Sequence, residues 1–376
     1  MDQTDSTGET VEKPSLTEEE ARRLIEERYG FKVKSLRPMN SYIDLNFHVK
    51  VEDDVSWPYG YTLKVTNGTF SRNRDVFEAQ TQMTTFLEHK GFPVPQAVPN
   101  LRGEVMSLES LRGNDNGPCS ENMVRLSTYL PGSILYDVPM TLSLAYDSGV
   151  FLAKVQEALQ DFFHPALRRP DNLWSLAGLP SLVKYLHCLK DERIKDEIRK
   201  IVHTFGEKVL SRMDELPQGA VHGDFNDQNV LVEEEPTHPG KYRICGLLDF
   251  DLIIFNPYVF DLAVGLMYLM SAVRDPNDPI TFGGHFLAGF ESVRALTPVE
   301  WDVLYYCVVA RALQSYVFGH HTASIYPENR EYLMVTAGGL WKLIDRWWGT
   351  PKEEIYKQWR DIQKSLRNQS NGSLEF

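Results

Sequence analysis

Cysteine is scarce in this 376-residue sequence, and the four present, Cys119, Cys188, Cys245 and Cys307, form no paired spacing. They suggest neither a disulfide framework nor a zinc site, and they fit a reducing compartment. Basic residues are also in deficit: 39 Lys and Arg stand against 52 Asp and Glu, a formal net charge of −13. That balance disfavours nucleic acid or an anionic membrane as the main partner. It suits a cationic substrate, and equally an acidity that serves only solubility. Long hydrophobic runs are missing. The most apolar stretch, 259–273, contains Asp261, is short for a bilayer and reads as a buried helix. The N-terminus has no apolar centre and carries Asp2, Asp5, Glu9 and Glu12 against Lys13. Neither a signal peptide nor a mitochondrial transit peptide is expected, and the expected location is cytoplasmic. There is no internal repeat and no Walker-type P-loop.

What the sequence does hold is concentrated in residues 222–229, His-Gly-Asp-Phe-Asn-Asp-Gln-Asn, answered by Leu248-Asp249-Phe250-Asp251. Gly, Asp and Asn gather in ordinary turns too. Here an Asp, an Asn five positions later and an Asp on the next element are the parts of a phosphoryl-transfer site. Such chemistry needs a carboxylate to orient the attacking hydroxyl and two oxygen donors for Mg²⁺ on the nucleotide phosphates. Asp224 is the candidate catalytic base, and Asn229 and Asp249 are the candidate metal ligands. Val230-Leu231-Val232 and 242–248 read as strands joined by a polar turn, a hairpin that returns Asp249 to the Asp224 loop. His222 is expected to shape the loop by hydrogen bonding. Asp261 is expected at a helix start, favoured by the dipole, with bracing of the catalytic loop as its other reading.

Upstream, Thr17 and Glu20 make a capping box for a helix that Gly30 stops. Alternation predicts strands around Phe47, Val49 and Val51, and around Tyr61, Leu63 and Val65. Lys64 lies on the opposite face, where its two readings are a point charge reaching phosphates and a solvated Lys on an outer strand face. A helix over 75–89, with Ala79, Met83, Phe86 and Leu87 as its apolar stripe, offers Glu78 as an ion-pair partner for Lys64, with plain exposure as its other reading. The segment 40–46, which would cover the phosphates, has no glycine; backbone N–H groups or Ser41 are its remaining donors. Strands over 104–110 and 122–129 flank a turn-rich loop, 113–120. Leu130-Pro131-Gly132 then breaks the pattern, and a hinge is expected there. The nucleotide base is expected against main chain around Ser127, Thr128, Tyr129 and Leu130. Helices follow near 142–153, 181–190, 194–213, 259–273, 298–321, 328–348 and 352–367.

The order predicts an α+β, protein-kinase-like two-lobed fold, with a small antiparallel-sheet lobe and a larger mainly helical lobe. The expected division is a tail over 1–15, an N-lobe over 16–130, a C-lobe over 131–367 and a tail over 368–376. Arg311, on a late helix, has two readings, binding of an acceptor carboxylate or plain burial, so no substrate residue is assigned.

The stretches 222–229 and 248–250 resemble the aminoglycoside phosphotransferase and choline kinase family, which has a protein-kinase-like fold and phosphorylates small molecules. The motif reads Asp-Phe-Asp where Asp-Phe-Gly is usual. Longer stretches resemble the branch acting on hydroxylysine: Asn46-Phe47-His48-Val49 with Ser41-Tyr42, 125–132, Gly283-Gly284-His285, 287–292, and 326–329 with 332–337. The resemblance implies γ-phosphoryl transfer from GTP, with Mg²⁺, to the side-chain hydroxyl of 5-hydroxy-L-lysine. It implies a cytosolic role in breaking that amino acid down. By position it gives Asp224 the role of base, Asn229 and Asp249 the metal and Lys64 the phosphates. Choline, ethanolamine, homoserine or an aminoglycoside are the rival acceptors. A non-catalytic nucleotide-binding protein of the same fold is the remaining reading.

Overall fold

The computed structural model describes residues 14–41, 43–52, 57–112, 119–169, 172–274 and 276–372. The expected tail up to Lys13, Tyr42, most of the 113–120 loop and the last four residues lie outside the described residues. The chain divides into two compact units, one ending at Pro131 and one beginning at Gly132.

The N-terminal unit opens with α1 (Glu18–Tyr29), whose capping box is formed: Glu20 N–H reaches the Thr17 hydroxyl, and the Glu20 carboxylate takes the Thr17 N–H. Strands β1 (Val33–Met39), β2 (Leu45–Val51) and β3 (Tyr61–Val65) follow. Next come α2 (Gly68–Ser71), α3 (Arg74–His89), β4 (Ser107–Arg112) and β5 (Cys119–Thr128). The five strands form one antiparallel sheet in the order β1-β2-β3-β5-β4. Strand alternation sorts its faces as expected. Val49, Leu63, Val65 and Leu126 are fully buried and pack with Ala21, Leu24 and Ile25 of α1. Fully burying one such side chain stabilises by about 1.5–3 kcal/mol, which is ample to fix the register. Lys64 is thereby held on the other face, opposite Asn46 and Arg125. Strand β1 was not foreseen; its Lys, Arg and Pro obscure the period.

The C-terminal unit contains β6 (Ser133–Ile134), α4 (Leu142–Leu159), α5 (Glu192–Lys208), β7 (Gln218–Val221), β8 (Val230–Glu234), β9 (Tyr242–Leu247) and β10 (Ile254–Pro257). Its later helices are α6 (Tyr258–Ala272), α7 (Pro279–Glu291), α8 (Pro298–Ile325), α9 (Arg330–Ala337), α10 (Leu340–Gly349) and α11 (Lys352–Gly372). The β8–β9 hairpin is the one read from the sequence, with β6 on its outer edge. Strands β7 and β10 pair antiparallel on either side of it in sequence. Helix α6 is buried from Tyr258 to Met270, which explains its nearly unbroken apolar run.

The sequence reading differs in several places. Helix α7 was not expected, because Gly283, Gly284 and Gly289 lower its propensity. Packing accounts for it: a Cβ on Gly289 would lie 1.9 Å from the Tyr146 carbonyl oxygen, and one on Gly149 1.9 Å from that of Phe286. Helices α4 and α7 therefore cross with their backbones nearly touching, which only glycine permits. The expected helix over 328–348 is broken at Gly338-Gly339, and that over 352–367 runs on to Gly372. The region 181–190 belongs to a 3-10 stretch, Leu176–Cys188, with Pro180 inside it. Among the described residues, no helix is long and apolar enough to cross a membrane.

Candidate active site

The C-terminal unit gathers His222, Asp224, Asn229, Asp249 and Asp261 around the entry to the β8–β9 hairpin. The chain leaves β7 at Val221 and turns at Gly223, whose φ is +81° and whose missing Cβ would lie 2.4 Å from the Leu252 carbonyl oxygen. Glycine is required there on both counts. The buried His222 imidazole accepts the Asp224 N–H on Nδ1 at 3.2 Å. That leaves its Nε2–H to donate to the Leu248 carbonyl at 3.0 Å. Asp261 binds the Gly223 N–H through Oδ1 at 2.8 Å, and its Oδ2 accepts from Gln156 at 3.3 Å. Its carboxylate therefore braces the loop and does not cap its own helix. Burial raises the Asp261 pKa, with the nearby His222 opposing that shift.

The Asp224 carboxylate is held on both oxygens. Oδ1 accepts from Arg311 Nη2 at 2.7 Å, and Oδ2 accepts from the side-chain amides of Asn226 at 2.9 Å and Asn229 at 3.1 Å. Asn226 also takes the Gln228 and Asn229 N–H groups on its own oxygen, closing the loop. Asn226 and Arg311 are partners of Asp224 that motif spacing did not indicate. The first looked like turn chemistry, and the second lies 87 positions away. Arg311 is buried against a carboxylate already, so the acceptor-carboxylate reading does not stand.

The expected metal ligands adjoin. The Leu248 N–H bonds the Asn229 carbonyl at 2.7 Å, which sets Asn229 beside the residue preceding Asp249. Both Nδ2 bonds of Asn229 go to Asp224, one to its carbonyl and one to its carboxylate. The amide oxygen of Asn229 is thus turned away from Asp224, a hard donor suited to Mg²⁺. Asp249 is the second candidate donor; its φ of 57° is the one positive value at a non-glycine among the described residues. Its Oδ1 accepts the Asp251 N–H at 3.1 Å. Asp251 has no positive φ, so the glycine of the usual motif is not needed there. Among the described residues no three His, Cys, Asp or Glu side chains converge on a metal centre. An Asn–Asp pair completed by water and phosphate oxygens fits Mg²⁺ better than an all-protein cage. Asp227 is 3 % exposed with Oδ1 unpartnered, and burial, with the Asp224 charge adding to it, pushes its pKa up to about 7.

The N-terminal unit carries the expected nucleotide residues. Lys64 Nζ lies 3.8 Å from Asp44 Oδ2, and the other Asp44 oxygen accepts from the Asn67 N–H and side-chain amide, each at 2.9 Å. Glu78 does not meet Lys64: it is exposed and accepts from Gln82, its neighbour one turn on. Arg125, cross-strand from Lys64, takes the helix instead, bonding Gln80 and lying over the Phe77 ring at 4.6 Å. Ser41 donates to the Asp44 carbonyl. At the expected base-binding stretch, the Thr128 N–H bonds Gln96 and the Tyr129 N–H bonds Gly60, at 2.9 and 3.0 Å. The Tyr129 carbonyl accepts from Trp57 at 2.9 Å, so its main chain is already used. None of the described backbone bonds uses the Leu130 N–H.

Residues 35–296 match the family described as APH, Phosphotransferase enzyme family. The chain is 34% identical over 368 residues to hydroxylysine kinase of Bos taurus, covering 96% of each. It is 36% identical over 362 residues to hydroxylysine kinase of Xenopus laevis, covering 94% of this chain and 95% of that protein. A microcompartment-associated aminopropanol kinase shares the fold with a TM-score of 0.64 at 18% identity, over 88% of this chain and 97% of that one. These matches show that the chain belongs to the APH phosphotransferase family, as a small-molecule kinase whose acceptor group is an alcohol.

Proposed function

We propose that the chain transfers the γ-phosphoryl group of GTP to the side-chain hydroxyl of 5-hydroxy-L-lysine, releasing GDP. The observation that carries this reading is the Asp224 carboxylate, fixed on both oxygens beside an Asn–Asp pair suited to Mg²⁺. The acceptor is supported by similarity to hydroxylysine kinases across nearly the whole chain. GTP is carried from the family resemblance alone.

Asp224 accepts the hydrogen bond of the acceptor hydroxyl, aligns its oxygen with the γ-phosphorus and holds the proton as the bond forms. Mg²⁺, held by Asn229 and Asp249, would neutralise charge on the phosphates. Lys64, steered by Asp44, meets the phosphates as a point charge. The base rests against the main chain of 127–130, with the Leu130 N–H as donor. His222 and Asp261 keep the loop in shape throughout. The reaction belongs in the cytoplasm, in the breakdown of hydroxylated lysine.

The test is nucleoside diphosphate release with Mg²⁺, crossing GTP and ATP with 5-hydroxylysine, lysine, choline, ethanolamine, homoserine and an aminoglycoside. Turnover that needs GTP and hydroxylysine, with lysine silent, supports the reading, since lysine lacks only the hydroxyl. Turnover on another acceptor discards the substrate and keeps the role of Asp224. Silence on every acceptor, with nucleotide bound, turns the reading to a binding protein.

A further inference from the structure

Helix α8 buries one guanidinium completely: Arg311 is 0 % exposed. Its Nη2 donates to Asp224 at 2.7 Å and to the Tyr268 hydroxyl at 3.4 Å, and its Nη1 donates to the Trp174 carbonyl at 3.3 Å. The guanidinium carbon lies 4.6 Å from the Trp174 ring centre and 5.3 Å from that of Tyr268. One turn on, Gln314 donates to the carbonyls of Leu173 and Ser175 at 2.9 and 3.0 Å. Helix α8 therefore holds both the cation and the segment whose Trp covers it.

A buried cation needs a carboxylate, and a planar fork clamped from several sides leaves that carboxylate little freedom. The two partners are not alike in access. The Arg311 side chain is 1 % exposed, whereas that of Asp224 is 17 % exposed. A ligand can therefore meet the base but not the cation behind it. Two amides take the second oxygen of Asp224, so its orientation is fixed before any acceptor arrives.

We propose that Arg311 is a positioning residue for phosphoryl transfer, locking Asp224 in the one rotamer that presents its exposed edge to the acceptor hydroxyl. This rests on the phosphoryl-transfer reading above. Misplacing a reacting group by about 1 Å costs on the order of 10²-fold in rate, without weakening substrate binding.

The test is steady-state kinetics of Arg311→Met, Arg311→Lys and Arg311→Ala, on the acceptor that wild type turns over, with nucleotide affinity and melting temperature measured alongside. Positioning predicts kcat lower by about 10²-fold in Arg311→Met, with acceptor KM and nucleotide Kd within about threefold of wild type. Arg311→Lys, which keeps the charge and the fold but not the fork, recovers part of that loss. Guanidinium ion at millimolar level restores turnover to Arg311→Ala where equal sodium chloride does not, and does so without raising the melting temperature. Wild-type kcat in both Arg311→Lys and Arg311→Met overturns the proposal. So does a rise in acceptor KM with kcat unchanged, which would show that Arg311 supports acceptor binding and not the placement of Asp224. A wild-type enzyme silent on every acceptor defeats the phosphoryl-transfer reading itself, and that result is read before any variant is made.

Discussion

His222 reaches across the entry of the β8–β9 hairpin to Leu248, its Nε2 lying 3.0 Å from the carbonyl oxygen one residue before Asp249. The same ring takes the Asp224 N–H on its other nitrogen. One buried side chain thus ties the candidate base to the strand end that delivers a candidate metal ligand. His222→Ala leaves two part-buried backbone groups without their partner, at a cost of about 1–3 kcal/mol each at most. The expected result is a lower urea midpoint with unchanged slope, and turnover reduced about tenfold or more. Unchanged stability would mean that water replaces the imidazole freely.

Asp224→Ala is expected to abolish detectable turnover while leaving nucleotide affinity within about threefold of wild type. General-base and orienting carboxylates contribute roughly 10²–10⁴-fold. The variant also strands the Arg311 cation, so a loss of about 3–5 kcal/mol in stability accompanies the kinetic effect. Calorimetric nucleotide titration on the folded fraction separates the two. Near-wild-type turnover would remove Asp224 from the mechanism.

For Asp249 the informative change is to Asn, which tolerates the left-handed backbone at φ 57° and removes only the charge. The Mg²⁺ midpoint for turnover is expected to rise by about tenfold, and Asp249→Ala adds backbone strain to that loss. A metal titration superimposable on that of wild type would count against the ligand role.

Asp227 predicts a pH dependence. Its folded pKa of about 7 lies above the ordinary carboxylate range, so the folded state holds a proton that the unfolded chain has released. Below about pH 4 both states are protonated and the group is neutral in its effect. As pH rises towards 7 the unfolded state is increasingly favoured. Asp227→Asn escapes this penalty. In metal-free buffer it should be more stable than wild type at pH 8, and the difference should vanish near pH 4. Denaturant melts at both pH values decide it; an equal difference at each would show that Asp227 does not titrate there.

Local chemistry was legible in the sequence, and long-range partnership was not. The hairpin that carries Asp224, Asn229 and Asp249 declared itself because spacing, turn residues and two apolar runs agree within 30 residues. The capping box of α1 and the buried α6 were equally plain. The partner of Lys64 was misread, because a helix Glu in the expected place is no guide to which residue faces the sheet. Arg125 faces α3, and Asp44, one strand earlier, turns back to Lys64. Helix α7 was hidden for a related reason: its glycines argue against a helix until the backbone of α4 is seen lying against them.

The left-handed backbone at Asp249 carries a consequence for how this position can vary. The conformation is comfortable for glycine, and next for Asn or Asp. The proposed chemistry asks for a charged oxygen donor, which leaves out glycine and weakens Asn. Glu, the usual neighbour of Asp in substitution, has the charge but is poorly suited to the backbone. Two unrelated demands, one conformational and one chemical, overlap at a single amino acid. A chain exploring new acceptors can therefore drift in its later helices, but it has almost nowhere to go at residue 249.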